Sequence, residues 1–247
     1  LILISGPPGS GRTTTMYTLM EEADTTLRIA FSVENRIGRA ISGVSQMEVG
    51  GGAADNQAAL IGTALQQTPD MLFIDELTDP ESMKMALRAA RELLVIAVIP
   101  GGDLGRVLSR FPELGISPAA LARVLLLLLS QRLVRKLCSC RQKGRLTPEI
   151  QDYFQQAHLS DANVCLPAGC RKCNGTGYDG VLPVFDLVQV SDHLRDLLDA
   201  DGVPISMVRQ ELEREHGSSM LVYRGFQLVS TGQTSEDEVR RAILTQE

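Results

Sequence analysis

The sequence contains no tryptophan, and aromatic residues make up only 4% of it. A core built from these residues must pack aliphatic side chains, which the 44% hydrophobic fraction supplies amply. Positive charge is not in excess, since the formal net charge is −6. That argues against a nucleic-acid binder, which carries a basic balance. Long apolar runs are missing too. The longest, Val124 to Leu129, lies between Arg123 and Ser130, whereas a bilayer span needs about 20 residues. It reads as part of a buried helix, and no transmembrane segment is expected. No signal peptide is visible. Cysteine is absent except between 138 and 173, where five are gathered. Such clustering excludes a distributed disulfide framework and points to one local metal site. A length of 247 residues suits one large or two small domains. The chain opens inside an apolar stretch without a methionine, so a preceding N-terminal part is expected.

What is present begins with LILISGPPGSGRTTTMYTLM. Leu1 to Ile4 reads as a buried strand, Gly6 to Gly11 as a glycine-rich turn, and Arg12-Thr13-Thr14-Thr15 as the opening of a helix. This is the strand, loop and helix of a P-loop, with Arg12 where lysine is usual. Gly6, Gly9 and Gly11 let the backbone wrap closely around phosphate oxygens, so that amide N–H groups and the helix N-terminus face the anion. Ser10 and Thr14 complete the loop and the helix start, and Thr13 is placed to put its hydroxyl on Mg²⁺. Arginine is longer and planar with a fixed donor fork, so it does not replace a lysine ammonium at a tight site.

Further along, Leu27 to Val33 reads as a strand ending near Glu34, an acid that can hold Mg²⁺ through water or orient an attacking water. Residues 50–56 form a glycine-rich loop, and Ala58 to Gln67 a helix. Met71 to Ile74 is an apolar strand followed by Asp75-Glu76, the Walker B pattern, which sets carboxylates at the sheet edge near the phosphates. Asp79 to Leu93 reads as a helix with Pro80 in its first turn, and Leu94 to Ile99 as a strand before Pro100-Gly101-Gly102-Asp103. Alternating apolar strands and helices imply a mostly parallel α/β sheet covered on both faces. Ser117-Pro118 is expected to start a helix reaching about Leu137. Its basic end, Gln131 to Lys136, would be a solvated helix terminus. Asp192–Leu198, Ile205–Glu215 and Ser235–Leu244 read as amphipathic helices, with Ser235 and Glu238 spaced as a capping box. His193 and His216 are expected at the surface.

Together these stretches resemble the secretion ATPase superfamily, in the branch of type II secretion and type IV pilus assembly ATPases. The usual GPTGSGKTTTLY stands here as GPPGSGRTTTMY, the acidic box TVEDPVEY as SVENRIGR at 32–39, and Walker B as IDELTD at 74–79. QRLVRKLC at 131–138, GCRKCNGTGYDG at 169–180 and GQTSEDEV at 232–239 match the remaining signatures. The resemblance implies a RecA-like P-loop core over 1–137, a zinc-binding segment over 138–180 and a helical subdomain over 181–247. It implies ATP and Mg²⁺ held by Gly6, Gly9, Ser10, Gly11, Arg12, Thr13, Thr14 and Asp75, with Glu76 and Glu34 as catalytic candidates. It also implies a cytoplasmic homo-hexamer, peripheral at the inner membrane against platform proteins.

Departures from the family pattern cluster where the phosphate is sensed. Pro100 replaces the histidine of the histidine box, Thr78 the Walker B arginine, and Gly62 and Gln66 two further arginines. Gly38 stands for the second glutamate of the acidic box. Each charge lost at such a site typically costs ~10²–10³ in rate, so weak hydrolysis is expected. The alternative is a non-catalytic nucleotide-binding or structural subunit. Cys138, Cys140, Cys170 and Cys173 resemble the family's tetracysteine zinc motif. The Cys138-Ser139-Cys140 spacing is a residue shorter than usual, so Cys165 and His158 are alternative ligands.

Overall fold

The computed structural model describes residues 1–50, 56–102, 104–200, 203–216 and 220–244. Most of the glycine-rich loop at 50–56, and Asp103, lie outside them. The described chain divides into two compact units, residues 1–130 with 187–215, and residues 131–186 with 216–247. The second interrupts the first, whereas the sequence reading set three consecutive segments.

In the first unit, apolar runs too short for helices become strands: β1 (Ile2–Gly6), β2 (Ala30–Glu34), β3 (Val44–Glu48), β4 (Met71–Ile74) and β5 (Leu94–Pro100). Helices connect them: α1 (Arg12–Glu22), α2 (Gln57–Leu65) and α3 (Pro80–Ala89). Further helices are α4 (Leu104–Glu113), α5 (Pro118–Ala122), α7 (Asp192–Asp199) and α8 (Ile205–His216). The seven-stranded sheet has the order β3-β2-β4-β5-β1-β6-β9, where β6 is Leu127–Leu137 and β9 is Tyr178–Gln189. The pairs β2–β3, β2–β4, β4–β5, β1–β5 and β1–β6 are parallel.

Strand alternation distributes the core over both faces. Leu3, Leu72, Ile74, Val95, Ala97 and Ile99 belong to one buried cluster. Ile4, Met71, Phe73, Ile96 and Val98 belong to the other, with Met16, Tyr17 and Met20 of α1. Each fully buried aliphatic contributes about 1.5–3 kcal/mol. Helix starts are fixed by side-chain caps. Asn56 accepts from Ala59 N, Asp79 from Glu81 N and Ser82 N ahead of Pro80, and Ser191 from Leu194 N.

The expected helix from Ser117 to Leu137 is corrected. Only Pro118–Ala122 is helical, and Leu127–Leu137 is strand β6. A six-residue apolar run carries no helical period and suits a strand buried on both faces. Leu128 is buried, and register pairs Ile2 with Leu127 and Ser5 with Ser130. The basic end is correspondingly no helix terminus: Arg132 is buried, and Arg135 bonds the carboxylate of Glu238.

The second unit contains the short antiparallel ribbon of β7 (Gln142–Lys143) and β8 (Cys165–Leu166). Its helices are α6 (Pro148–Gln156), α9 (Met220–Ser230) and α10 (Glu236–Ala242). Phe154 and Phe226 meet edge-on at 5.7 Å in a core with Val134, Val184, Val239 and Ile243. Ser235 caps α10, accepting from Glu238 N. The buried Glu238 carboxylate receives Arg135 N, Arg135 Nε and Arg241 Nη2 at 2.6–2.9 Å. Burial would raise this acid, but these donors hold it down at about 2.

Candidate functional site

The parallel strands end at one edge, and the predicted phosphate-site residues follow those ends. β1 closes at Gly6, after which Gly9 (φ 76°) and Gly11 (φ 85°) adopt the left-handed region open to glycine. Space is open where a Cβ of Gly9 would stand. Gly11 is the N-cap of α1 and offers no side-chain cap, leaving the helix terminus suited to an anion. Ser10 N donates to Pro7 O at 3.1 Å. Pro7 and Pro8 take two amide donors out of this loop, a cost that the sequence displays but the motif alone does not announce.

Arg12, the first residue of α1, turns to the Walker B segment. Its Nη2 donates to Glu76 Oε1 at 2.9 Å, and its side chain is only 10% exposed. Its Nη1 is also buried and makes no hydrogen bond. Glu76 has φ 49°, a conformation a non-glycine residue adopts only when its surroundings enforce it. Asp75 is fixed through its backbone: its N–H donates to Val33 O and its C=O accepts from Gln57 Nε2. Burial raises the Asp75 carboxyl, with Glu76 and Glu34 adding, while Arg12 and the Thr13 hydroxyl bond oppose. Thr13 and Asp75, the pair expected to hold Mg²⁺, are thus in contact. Thr14 is exposed.

Glu34 closes β2 and is fully buried. Its carboxylate receives the Tyr17 hydroxyl, Ser32 Oγ at 2.5 Å and Gln46 Nε2 at 2.9 Å. The Tyr17 oxygen in turn accepts from Gly38 N at 2.7 Å, and Arg39 lies over the Tyr17 ring. The acidic box therefore ties α1, β2 and β3 together. Sequence reasoning did not foresee Tyr17 or Gln46, because the donors converge from three separate stretches.

Pro100 closes β5 between the phosphate loop and Walker B, with Gly6 as register partner. Its carbonyl accepts from Arg110 Nη1 at 2.9 Å. Its ring has no donor to turn toward the site.

In the second unit the Sγ atoms of Cys138, Cys140, Cys170 and Cys173 all lie within 4.8 Å of one another. The Cys138–Cys170, Cys140–Cys173 and Cys170–Cys173 separations are 3.9, 3.9 and 3.8 Å. A tetrahedral zinc with bonds of ~2.3 Å sets its sulfurs about 3.8 Å apart, so these four fit a structural zinc. Burial works to raise the Cys173 thiol, yet donation from Cys170 N and Gly177 N brings it down to about 6. Burial pushes Cys140 up to about 11. At Gly177 (φ 79°) a Cβ would meet that of Pro167 at 2.4 Å, so the knuckle requires glycine there. Cys165 bonds Asn163 O outside the cluster, and His158 is exposed.

Residues 1–241 match the family described as type II/IV secretion system protein. Among similar proteins, type II secretion system protein E of Aeromonas hydrophila is 32% identical over 98% of this chain and 48% of its own length. The type IV pilus assembly ATPase PilB of Thermus thermophilus is 30% identical over 97% of this chain and 27% of its own. The chain thus spans about half or less of these relatives. Solved structures share the fold. The ATPase DotB of Legionella pneumophila has a TM-score of 0.70 at 16% identity, covering 97% of this chain and 58% of that one. The pilus retraction motor PilT with bound ADP has 0.68 at 19%, covering 97% and 60%. No helix among the described residues is long and apolar enough to cross a membrane.

Proposed function

The chain belongs to the type II/IV secretion system protein family, and from that membership we propose that it is the ATP-binding motor region of a type II secretion or type IV pilus assembly machine, with weak intrinsic hydrolysis. The observation that carries this reading is the contact of Arg12 with Glu76. It joins the phosphate loop to the Walker B acid and keeps both at one strand edge. Gly9, Ser10, Gly11, Arg12, Thr13 and Thr14 would hold the phosphates. Thr13 and Asp75 would hold Mg²⁺, which when bound neutralises phosphate charge. The N-terminus of α1, which has no side-chain cap at Gly11, and the unbonded Nη1 of Arg12 favour an anion there. The chain would work as a homo-hexamer in the cytoplasm, peripheral to the inner membrane and against platform proteins of the machine. Zinc would fasten the excursion between Cys138 and Cys173.

Weak hydrolysis follows from what surrounds that edge. Glu34 spends its carboxylate on Tyr17, Ser32 and Gln46, which suits a positioning role better than the orienting of water. Pro100 brings no proton donor or acceptor in its side chain. These same two observations support a second reading, a non-catalytic subunit that binds nucleotide or merely assembles. Single-turnover ATP hydrolysis measured beside a nucleotide titration separates them. Slow but Mg²⁺-dependent turnover supports the motor, and binding without turnover supports the second reading. Turnover at the ~1–100 s⁻¹ ordinary for phosphoryl-transfer enzymes contradicts weakened hydrolysis.

A further inference from the structure

Arg12 stands where a P-loop lysine is usual, but its surroundings assign its two terminal nitrogens different tasks. One, Nη2, is held by Glu76 at 2.9 Å. The other, Nη1, is buried with no hydrogen bond, on a side chain nine-tenths buried. A guanidinium is a rigid fork whose donors diverge in one plane, so both can be satisfied together by two different anions. An ammonium is a point charge on a flexible stem and cannot fix two partners in one plane. We infer that Arg12 is a connector: Nη2 retains Glu76 while Nη1 donates to a phosphate oxygen of bound nucleotide. This rests on the nucleotide-binding reading above.

The rival geometry has phosphate pulling Arg12 off Glu76. That would leave the Glu76 carboxylate without its cation beside Asp75 and the incoming phosphate, three like charges in a partly buried site. It would also discard a contact that comes with Glu76 already set at φ 49°. Bridging keeps that contact and needs only that the loop around the buried Nη1 opens to admit a phosphate oxygen. Arg12 directly follows Gly11, whose left-handed conformation leaves the start of α1 without a side-chain cap.

The test is a calorimetric titration of the folded chain with ADP and Mg²⁺, which reads binding without hydrolysis. The set is the unaltered chain, Arg12→Lys, Arg12→Gln, Glu76→Gln and the double Arg12→Lys/Glu76→Gln. The connector expects Arg12→Lys and Arg12→Gln to weaken ADP by ~10-fold or more. Glu76→Gln weakens it by about 3-fold, and the double variant binds no worse than Arg12→Lys alone. A lysine that binds as tightly as arginine, or tighter, overturns the connector while leaving nucleotide binding intact. So does a Glu76→Gln chain that binds ADP more tightly, because that is the signature of competition. An unaltered chain that takes up no ADP at millimolar concentration overturns both this inference and the nucleotide reading.

Discussion

Gly6 and Pro100 are register partners in the adjacent parallel strands β1 and β5. The residue that closes β5 therefore stands beside the one that opens the phosphate loop, and β5 separates that loop from the Walker B strand. Position 100 is thus one strand away from each of the two segments that would handle phosphate. A donor restored here at a developing charge is worth up to ~10²–10³ in rate. Pro100→His is expected to raise single-turnover ATP hydrolysis by at least ~10-fold. An unchanged rate in a folded variant would place the limit elsewhere.

Tyr17 and Glu34 form the second testable contact. Removing the hydroxyl leaves a buried carboxylate short of one donor and Gly38 N without its acceptor. Tyr17→Phe is expected to lower stability by about 1–3 kcal/mol, read as a lower denaturant midpoint. The Arg12–Glu76 contact should persist, so ADP affinity should stay within about 3-fold, a margin set by separable sites. A midpoint equal to that of the unaltered chain would mean that the acidic box is solvated rather than tied.

Metal content is expected to be about one zinc per chain, the count a single four-thiolate site takes. Cys140→Ser and Cys173→Ser should each lose it, and residues 138–180 should become protease-sensitive while the first unit resists. Cys165→Ser should retain the metal, because its Sγ lies outside the cluster and bonds Asn163 O. Zinc retained in Cys140→Ser but lost in Cys165→Ser would reassign the fourth ligand.

Acid should loosen the second unit through Glu238. Its carboxyl is held at about 2 when folded, below its ordinary value of 4.5. The folded state thus stays deprotonated where the unfolded chain takes up a proton. The stabilisation is full above pH ~4.5 and disappears as pH falls toward ~2. Glu238→Gln should be less stable at neutral pH and should flatten that acid limb of the unfolding midpoint. A limb of undiminished steepness would assign it to other carboxylates.

Much of this was legible because its signals are local. A glycine turn between an apolar strand and a helix, and an apolar strand ending in Asp75-Glu76, each declare themselves within a few residues. Leu127–Leu137 misled because a solid apolar run fits helix and strand alike, and only its pairing with β1 decides. β3 is half exposed, and β9 is interrupted by Gly180 and Pro183, so neither shows a clean alternation. The Arg12–Glu76 contact joins residues far apart in sequence. The burial of Glu34 depends on Tyr17 and Gln46 arriving from other elements. Cys140 belonged to the expected ligand set, with Cys165 and His158 as alternatives because its spacing is short, and the Sγ positions place Cys140 inside the cluster and Cys165 outside it.

The interleaving of the two units bears on how the chain is made. Synthesis proceeds from the N-terminus, and chains built from successive domains can fold each one as it emerges. Here α7, whose Arg195 donates to the carbonyl of Ala122, leaves the ribosome only after the whole stretch 131–186 of the other unit has been synthesised. That stretch must wait in turn for α9 and α10, which complete its core. Until those helices emerge, each unit holds an apolar surface whose cover has not yet been made.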